Sequence, residues 1–249
     1  EMLARFALEE YNEKRALEEI DKALAISTEA LDALMLRATI EWLNERDGKQ
    51  WIDRLEKINP NYGEGYSTAA GILVINRRYE EGIALYRKAL AKTPELLSAK
   101  AELGVNLMRL GEEAEARKFL EEAYEANWRT AQVVNTLTLM DSYKNFVTFK
   151  KGRIILRVHK KESELLRPYF EAELERAVDV FEKKYQVKLD RPVQLEVYPD
   201  HEDFAVRTMG LPGLGALGVT FGYVVAMDSP SGRKPGTFHW ASTLWHELS

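Results

Sequence analysis

The first half of this 249-residue sequence repeats itself every 34 residues. The segment YEEGIALYRKALAKTPELLSAKAELG, residues 79–104, aligns with GEEAEARKFLEEAYEANW, residues 111–128, at a shift of 34. Pro60 and Pro94 are also 34 residues apart. An earlier copy, residues 18–38, has Thr28 in place of proline and is two residues shorter. A repeat of this length is one supersecondary unit that buries its apolar face against its neighbours, which predicts a stacked array.

Small and large residues occupy fixed places within each repeat. Small side chains let two helices approach closely, a large one fills the gap between them, and proline ends the second helix. The positions with this pattern are Gly82, Tyr86, Ala89 and Pro94, then Ala116, Leu120 and Ala123. In period and pattern the segment resembles the tetratricopeptide repeat family. The resemblance predicts an α-solenoid over residues 1–143, with about three and a half helix pairs and a closing helix.

A stacked array of helix pairs has a concave groove, and tetratricopeptide proteins hold peptides or partner proteins there. The predicted groove positions are mostly small or apolar: Glu64, Ser67, Gly71, Val74, Ser98, Ala101, Val105 and Met108. The Lys/Asn set with which some family members bind a C-terminal carboxylate is absent. The resemblance therefore implies a protein or peptide partner. The alternative is that these residues pack against a neighbouring domain or line a spacer.

After Tyr143 the hydrophobic period changes. The segment FVTFKKGRIILRVHK contains two short β-type runs around Lys151-Gly152, which predicts a hairpin. A helix is expected from about Glu162 to Tyr185, followed by strand, helix, strand and helix. This order predicts an α+β domain over residues 144–249. The expected fold class is thus an α-solenoid followed by part of an α+β domain.

Charge and hydropathy limit the classes of partner. Residues 1–143 carry a net charge of −7 and residues 144–249 a net charge of +2. Neither half is basic enough to make nucleic acid the expected partner. No apolar run is long enough to cross a bilayer. Cysteine is absent, which excludes disulfides and thiolate metal sites but leaves the compartment and the oligomeric state undecided.

Two motifs in the second half fail the requirements of the sites they suggest. Residues 213–218 match G-x-G-x-x-G, but a dinucleotide site needs a strand before this motif and a helix after it. Here a strand follows, so we interpret the segment as a flexible glycine loop. His201 is followed by Glu202, but Ala205 stands where a second histidine would be needed. We interpret His201 as a solvated residue in the first turn of its helix.

The last predicted helix, TFHWASTLWHELS, carries His246 followed by Glu247 on an apolar background. Zinc peptidases of the His-Glu-x-x-His type need two imidazoles one helical turn apart and a carboxylate next to the first. His246 and Glu247 have the spacing of the first imidazole and the carboxylate. His239, two turns earlier, is a weaker candidate ligand, and Thr237 is the predicted N-cap of the helix.

The segment FGYVVAMDSPSGRKPGTFHWASTLWHELS resembles the approach to the active-site helix in peptidase MA-like metallopeptidases of the gluzincin group. Within that group it is similar to the bacterial branch that carries tetratricopeptide repeats ahead of the peptidase domain. The resemblance implies that His246 is a Zn²⁺ ligand, that Glu247 is the general base, and that the strand near residues 218–227 lies along the substrate cleft.

The second histidine of the motif would be residue 250, and a downstream glutamate would be the third ligand. Neither is among the 249 residues. An intact parent that has both ligands is expected to hydrolyse peptide bonds with zinc-activated water. We expect this chain to be inactive and to bind zinc weakly or not at all. The alternatives are a non-enzymatic tetratricopeptide scaffold with a degenerate peptidase-like domain, and a repeat protein with an unrelated α+β domain. Relatives of the implied kind are often exported, which favours the bacterial periplasm or cell envelope.

Overall fold

A computed structural model describes all residues, 1–249, as twelve α-helices and five β-strands. The helices are α1 (Met2–Glu9), α2 (Glu13–Ile26), α3 (Leu31–Leu43), α4 (Lys49–Ile58), α5 (Gly63–Ile75), α6 (Tyr79–Lys92), α7 (Leu97–Arg109), α8 (Glu113–Glu125), α9 (Ala131–Ser142), α10 (Ser163–Tyr185), α11 (His201–Met209) and α12 (Trp240–Leu248). The strands are β1 (Phe146–Lys151), β2 (Ile154–His159), β3 (Val193–Tyr198), β4 (Gly218–Phe221) and β5 (Val224–Asp228). Nine helices therefore precede the sheet, as the change of period after Tyr143 predicted.

The chain divides into two compact units, residues 1–106 and residues 107–249. The first unit contains α1 to α6 and most of α7, and the second contains α8, α9 and the whole sheet. The domain boundary predicted after Tyr143 marks the end of the helical run and stays a prediction. None of the twelve helices combines the length and the apolar character that a bilayer-crossing helix needs.

In the first unit the helices pack in pairs, α1 with α2, α3 with α4 and α5 with α6. The starts of α5 and α7 are 34 residues apart, as are those of α6 and α8, whereas α3 and α5 start 32 residues apart. These spacings confirm the repeat found in the sequence, including its short first copy. The first helix pair was predicted to consist of one helix only. Helix α1 completes the pair and buries Ala4, Ala7 and Leu8.

Close approach of α5 and α6 depends on Gly82. A Cβ atom at this position would lie 2.7 Å from Val74 Cγ2 and 3.1 Å from the carbonyl oxygen of Ala70. Tyr86, one turn later, is buried at 3% exposure and fills the space beside this contact. The small-large pattern in the sequence therefore corresponds to helix packing, as predicted.

The sheet of the second unit is mixed, with the strand order β1-β2-β3-β5-β4. The three central strands β2, β3 and β5 are parallel, and each edge strand is antiparallel to its neighbour. Gly152 makes the predicted hairpin turn between β1 and β2 with φ at +54°, and Gly222 makes the turn between β4 and β5 with φ at +58°. Both turns need a left-handed backbone conformation, which glycine adopts without steric cost.

One face of the sheet is apolar and packs against α10 and α12. Alternate residues of each strand share this face because strand side chains alternate with a period of two. The buried cluster contains Ile154, Leu156, Val158, Val193, Leu195, Val197, Val225 and Met227 from the sheet, with Phe170, Leu174, Val178 and Leu244 from the helices. Burial contributes about 1.5–3 kcal/mol of stability for each large side chain of this cluster.

The other face of the sheet contains a buried ion pair. Glu196 of β3 is fully buried and accepts a hydrogen bond of 2.6 Å from Arg207 Nε of α11. Tyr198 donates to the same carboxylate at 2.7 Å, and Gln194 donates to it at 2.6 Å. Burial raises the pKa of Glu196, but the positive charges of Arg207 and Arg157 outweigh burial and lower it to about 2.

This pair also connects the sheet to Arg109, the last residue of α7, and to α8. Arg207 Nη2 donates to the carbonyl oxygen of Arg109 at 3.3 Å, and Arg157 of β2 lies 2.5 Å from a carboxylate oxygen of Glu113. Arg157 also stacks over the ring of Tyr143. The charged groups thus hold β2, β3, α8 and α11 together on the face of the sheet opposite α10.

Candidate functional site

The His246–Glu247 pair lies on α12, which packs firmly on the sheet. Leu244 is completely buried in the core, and Trp245 Nε1 donates a hydrogen bond of 3.0 Å to Glu173 of α10. His246 is exposed, whereas Glu247 is half-buried. Consecutive residues of a helix project about 100° apart, so the pair presents the imidazole to solvent and the carboxylate to the neighbouring strand.

Glu247 is held against β4 by Thr220. The Thr220 hydroxyl lies 2.9 Å from Glu247 Oε2 and 2.7 Å from the Glu247 carbonyl oxygen. Its single proton can be donated to only one of these acceptors at a time, but both belong to Glu247, so the hydroxyl holds this residue against β4. Sequence reasoning did not identify Thr220 as part of the site.

Gly218 provides the space for this arrangement. A Cβ atom at Gly218 would lie 2.8 Å from Glu247 Cγ, 3.0 Å from Glu247 Oε1 and 2.9 Å from Thr243 Cγ2. Any side chain at this position would therefore displace the carboxylate. Gly218 and Thr220 are two residues apart on one strand and therefore share a face. This alternation is the sequence signal that could have identified both residues as neighbours of Glu247.

The strand beside Glu247 is the edge of the sheet. β4 pairs with β5 on one side only, over the register from Gly218 opposite Met227 to Phe221 opposite Val224. The outer side of an edge strand presents backbone N–H and C=O groups to which an extended peptide can add as a further strand. The geometry therefore places the Glu247 carboxylate against an edge strand whose outer side pairs with no other strand.

The residues present do not complete a zinc site. Catalytic zinc takes three protein ligands and keeps one open position. No three histidine, cysteine, aspartate or glutamate side chains come together anywhere in the chain in an arrangement that could hold a metal ion. His239 precedes α12 as its N-cap residue, and its Nδ1 lies 3.3 Å from the Ser242 hydroxyl. His246 is thus the one candidate ligand that the 249 residues place beside Glu247.

The predicted capping of α12 by Thr237 is wrong. The helix begins at Trp240, and Thr237 instead donates a hydrogen bond of 2.7 Å to the carbonyl oxygen of Lys234. Trp240 packs on Phe170 with their ring centroids 4.2 Å apart, so tertiary contact rather than a local cap sets the start of the helix.

The predicted groove residues differ in accessibility. Glu64 is exposed, and Ser67, Gly71, Val74 and Ser98 are half-buried. The remaining three are buried, with exposures of 5% for Ala101, 5% for Val105 and 2% for Met108. Burial of these three fits the alternative in which the positions pack inside the protein, and it leaves α5 as the accessible part of the predicted groove.

An open cavity of about 250 Å³ lies next to α5 in the first unit. It is lined by Glu1, Met2, Arg5, Asp32, Met35, Leu36 and Thr68. The lining comes from α1, α3 and α5, the first helices of three successive pairs, which are the helices expected to line a concave groove. Helices α1 and α3 are absent from the predicted groove, because groove positions were predicted only in the two repeats counted from Gly63 and Leu97.

In a comparison with protein families no family matches this chain, and no curated protein matches it significantly.

Proposed function

We propose that residues 144–249 form the N-terminal part of a zinc metallopeptidase domain of the gluzincin type, and that the helices before it form a tetratricopeptide array that recruits a peptide or protein. The observation that carries the proposal is the position of Glu247. Its carboxylate is held by Thr220 and fits against Gly218 on an antiparallel edge strand. This is the place where a general base would meet a peptide bound along β4.

The 249 residues do not fit catalytic zinc by themselves, because they bring together no set of three ligands. Peptide hydrolysis by this chain is therefore not expected, and its zinc affinity should be that of isolated histidines. The role proposed for His246, a metal ligand, requires a second histidine at position 250 and a third ligand from a longer polypeptide.

The reading frame that encodes the chain tests the proposal. If it continues past Ser249 with histidine at position 250 and a later helix bearing glutamate, the longer polypeptide should bind one Zn²⁺ and cleave unfolded protein substrates. A reading frame with another residue at position 250, or a longer polypeptide that binds no zinc, would contradict the proposal.

A second candidate is a non-enzymatic binding protein, and the open edge of β4 and the cavity at α1, α3 and α5 favour it. In that case the repeat groove and the β4 edge hold peptides without cleaving them. The longer polypeptide would then retain peptides intact in the presence of excess Zn²⁺, and Glu247→Gln would leave peptide affinity unchanged.

The recruiting role of the first unit is supported by its cavity at α1, α3 and α5. Its lining combines apolar side chains, such as Met35, with the carboxylates of Glu1 and Asp32 and with Arg5, whose charge is paired with Glu9 at 2.8 Å. Asp32 is held in place by a short hydrogen bond from the Tyr62 hydroxyl. A surface of this composition fits a peptide with both apolar and basic side chains.

A further inference from the structure

Two motifs from the sequence contact each other in the structure. They are the His201-Glu202 pair, which lacks the second histidine of a zinc motif, and the glycine motif of residues 213–218, which lacks the context of a nucleotide site. The glycine loop, defined here as residues 211–217, connects α11 to the edge strand β4. His201 Nε2 donates a hydrogen bond of 2.7 Å to the Leu214 carbonyl oxygen, and Glu202 accepts one of 3.2 Å from the Gly213 N–H. Two consecutive side chains in the first turn of α11 thus hold the middle of the loop.

His201 is therefore not the solvated residue that the sequence suggested. Its side chain is 26% exposed, and its Nδ1 lies 3.0 Å from Asp228 Oδ1 at the end of β5. Asp228 is buried, with an exposure of 1%, so its charge needs nearby donors, and Arg233 Nε also donates to its Oδ2 at 2.7 Å. Local sequence could not reveal this contact, because Asp228 is 27 residues away along the chain.

The imidazole has two alternative partners at Nδ1. Asp228 can only accept a hydrogen bond there, whereas the Arg233 guanidinium, 2.6 Å away, can only donate one. With a proton on each ring nitrogen, His201 donates to Asp228 and to Leu214 at once. After loss of one proton, Nδ1 can accept from Arg233, and the hydrogen bond to Leu214 has a neutral donor instead of a charged one.

We propose that His201 and Glu202 form a proton-dependent clasp on the glycine loop, and that the clasp determines how firmly the N-terminal end of β4 is held. Charge-assisted hydrogen bonds are roughly twice as strong as neutral ones, so the protonated ring holds the loop more tightly. The loop contains no charged residue, and a Cβ atom at Gly213 or Gly215 would meet no other atom within 4 Å. At the end next to β4, the Leu217 carbonyl oxygen also accepts a hydrogen bond of 3.0 Å from the Asp228 N–H.

The surroundings of the ring favour the protonated form. The hydrogen bond to Asp228 raises the pKa of His201 most, partial burial opposes it, the Leu214 carbonyl adds to it, and Arg233 lowers it. The pKa is raised overall. The other charged side chains near the ring are Glu202 and Asp200. Glu202 accepts a hydrogen bond from the Gly213 N–H, and Asp200 caps α11 by accepting one from the Glu202 N–H. The N-terminus of α11 itself disfavours a positive charge there.

The direction of the pH effect follows from this raised pKa. The contribution of the clasp is complete below the ordinary histidine value of about 6.5 and is lost as pH rises through the higher value in the folded protein. Loop and strand edge should therefore loosen as pH rises through the pKa of His201 in the folded protein. Any consequence for peptide binding at β4 rests on the proposed function, whereas the clasp itself does not.

The clasp can be tested on the 249-residue chain without metal or peptide. Imidazole ¹⁵N shifts of His201 and backbone amide shifts of Gly213 and Gly215 are followed from pH 5 to pH 9. Hydrogen-exchange protection factors of residues 211–221 are measured over the same range. We expect the ring and the loop to titrate with one shared midpoint, at a pH above about 6.5. Loop protection should fall about five- to tenfold as pH rises through this midpoint.

Three variants separate the clasp from general effects of pH. His201→Gln keeps an N–H donor but does not titrate, so its loop protection should be independent of pH. Glu202→Gln should lower protection at every pH and keep the midpoint. His239→Gln, at an exposed histidine outside the clasp, should behave like the wild type. If His201→Gln fails to fold, the shared midpoint of ring and loop in the wild type decides the matter.

The proposal is overturned if loop protection does not change as the ring titrates, or if His201→Gln has the wild-type pH profile. It is also overturned if the His201 midpoint lies at or below about 6.5. A clasp that titrates as expected in a protein whose β4 edge binds no peptide would reject the proposed function alone.

Discussion

The buried carboxylate of Glu196 gives the most quantitative prediction. Replacement of Glu196 by glutamine keeps the shape of the side chain but removes the charge that Arg207 and Arg157 face. Arg207 is itself almost completely buried, so the variant leaves a guanidinium without its counter-charge inside the protein. Removal of one partner of a buried ion pair typically costs about 3–5 kcal/mol of folding stability.

The pKa of Glu196 gives a second value for this cost in folding free energy. A carboxyl whose pKa falls from 4.5 to about 2 on folding stabilises the folded state at neutral pH by about 3 kcal/mol, at about 1.4 kcal/mol for each unit. Because the folded-state pKa is depressed, this contribution is complete above pH 4.5 and is lost as pH falls toward 2. The two values agree, and we expect Glu196→Gln to cost about 3 kcal/mol at pH 7.

Urea unfolding of wild type and variant, monitored by tryptophan fluorescence and circular dichroism, measures this cost. The difference should be largest at pH 7 and should shrink between pH 4.5 and the lowest pH at which both proteins fold. Glu175→Gln is the control, because Glu175 pairs with Lys151 at the surface and should cost at most about 0.5 kcal/mol. A cost for Glu196→Gln similar to that of Glu175→Gln, or one that does not depend on pH, would refute the reasoning.

Three further predictions concern glycines and zinc. Gly218→Ala should displace the Glu247 carboxylate and destabilise the second unit by about 1–3 kcal/mol, whereas Gly215→Ala, in open space, should be nearly neutral in the same unfolding assay. Gly82→Ala should cost a similar amount in the first unit, whereas Gly71→Ala should stabilise α5 by about 0.5–1 kcal/mol; equal effects would contradict the packing described here. Calorimetric titration of the 249-residue chain should detect no 1:1 zinc site of sub-micromolar affinity, and finding one would show that the ligand set has been misjudged.

Most of the fold could be predicted from the sequence because it is encoded in periodic patterns. The 34-residue repeat predicted the helix pairs, and the change of period after Tyr143 predicted the sheet and its hairpin at Gly152. These signals are local and recur several times, so each copy supports the others. The front pair was only half predicted, since α1 has just eight residues, which is too short a segment to show the repeat pattern.

The site was predictable only in part. His246 and Glu247 could be found because they are neighbours in a short motif. Thr220 and Gly218, which hold Glu247, come from a strand 27 and 29 residues earlier and carry no motif of their own. The interpretation of His201 failed for the same reason. A residue whose role depends on a partner distant in sequence cannot be assigned by periodicity or by local motif.

The central claim is that Glu247 acts as a base beside the β4 edge of a zinc peptidase. The most direct measurement compares proteolysis by the polypeptide encoded by the full reading frame with that by its Glu247→Gln variant, with zinc content measured in both. The account predicts one Zn²⁺ in each protein and a loss of activity of about 10²–10⁴-fold in the variant. Unchanged activity in Glu247→Gln, or an absence of bound zinc in the active wild-type protein, would contradict it.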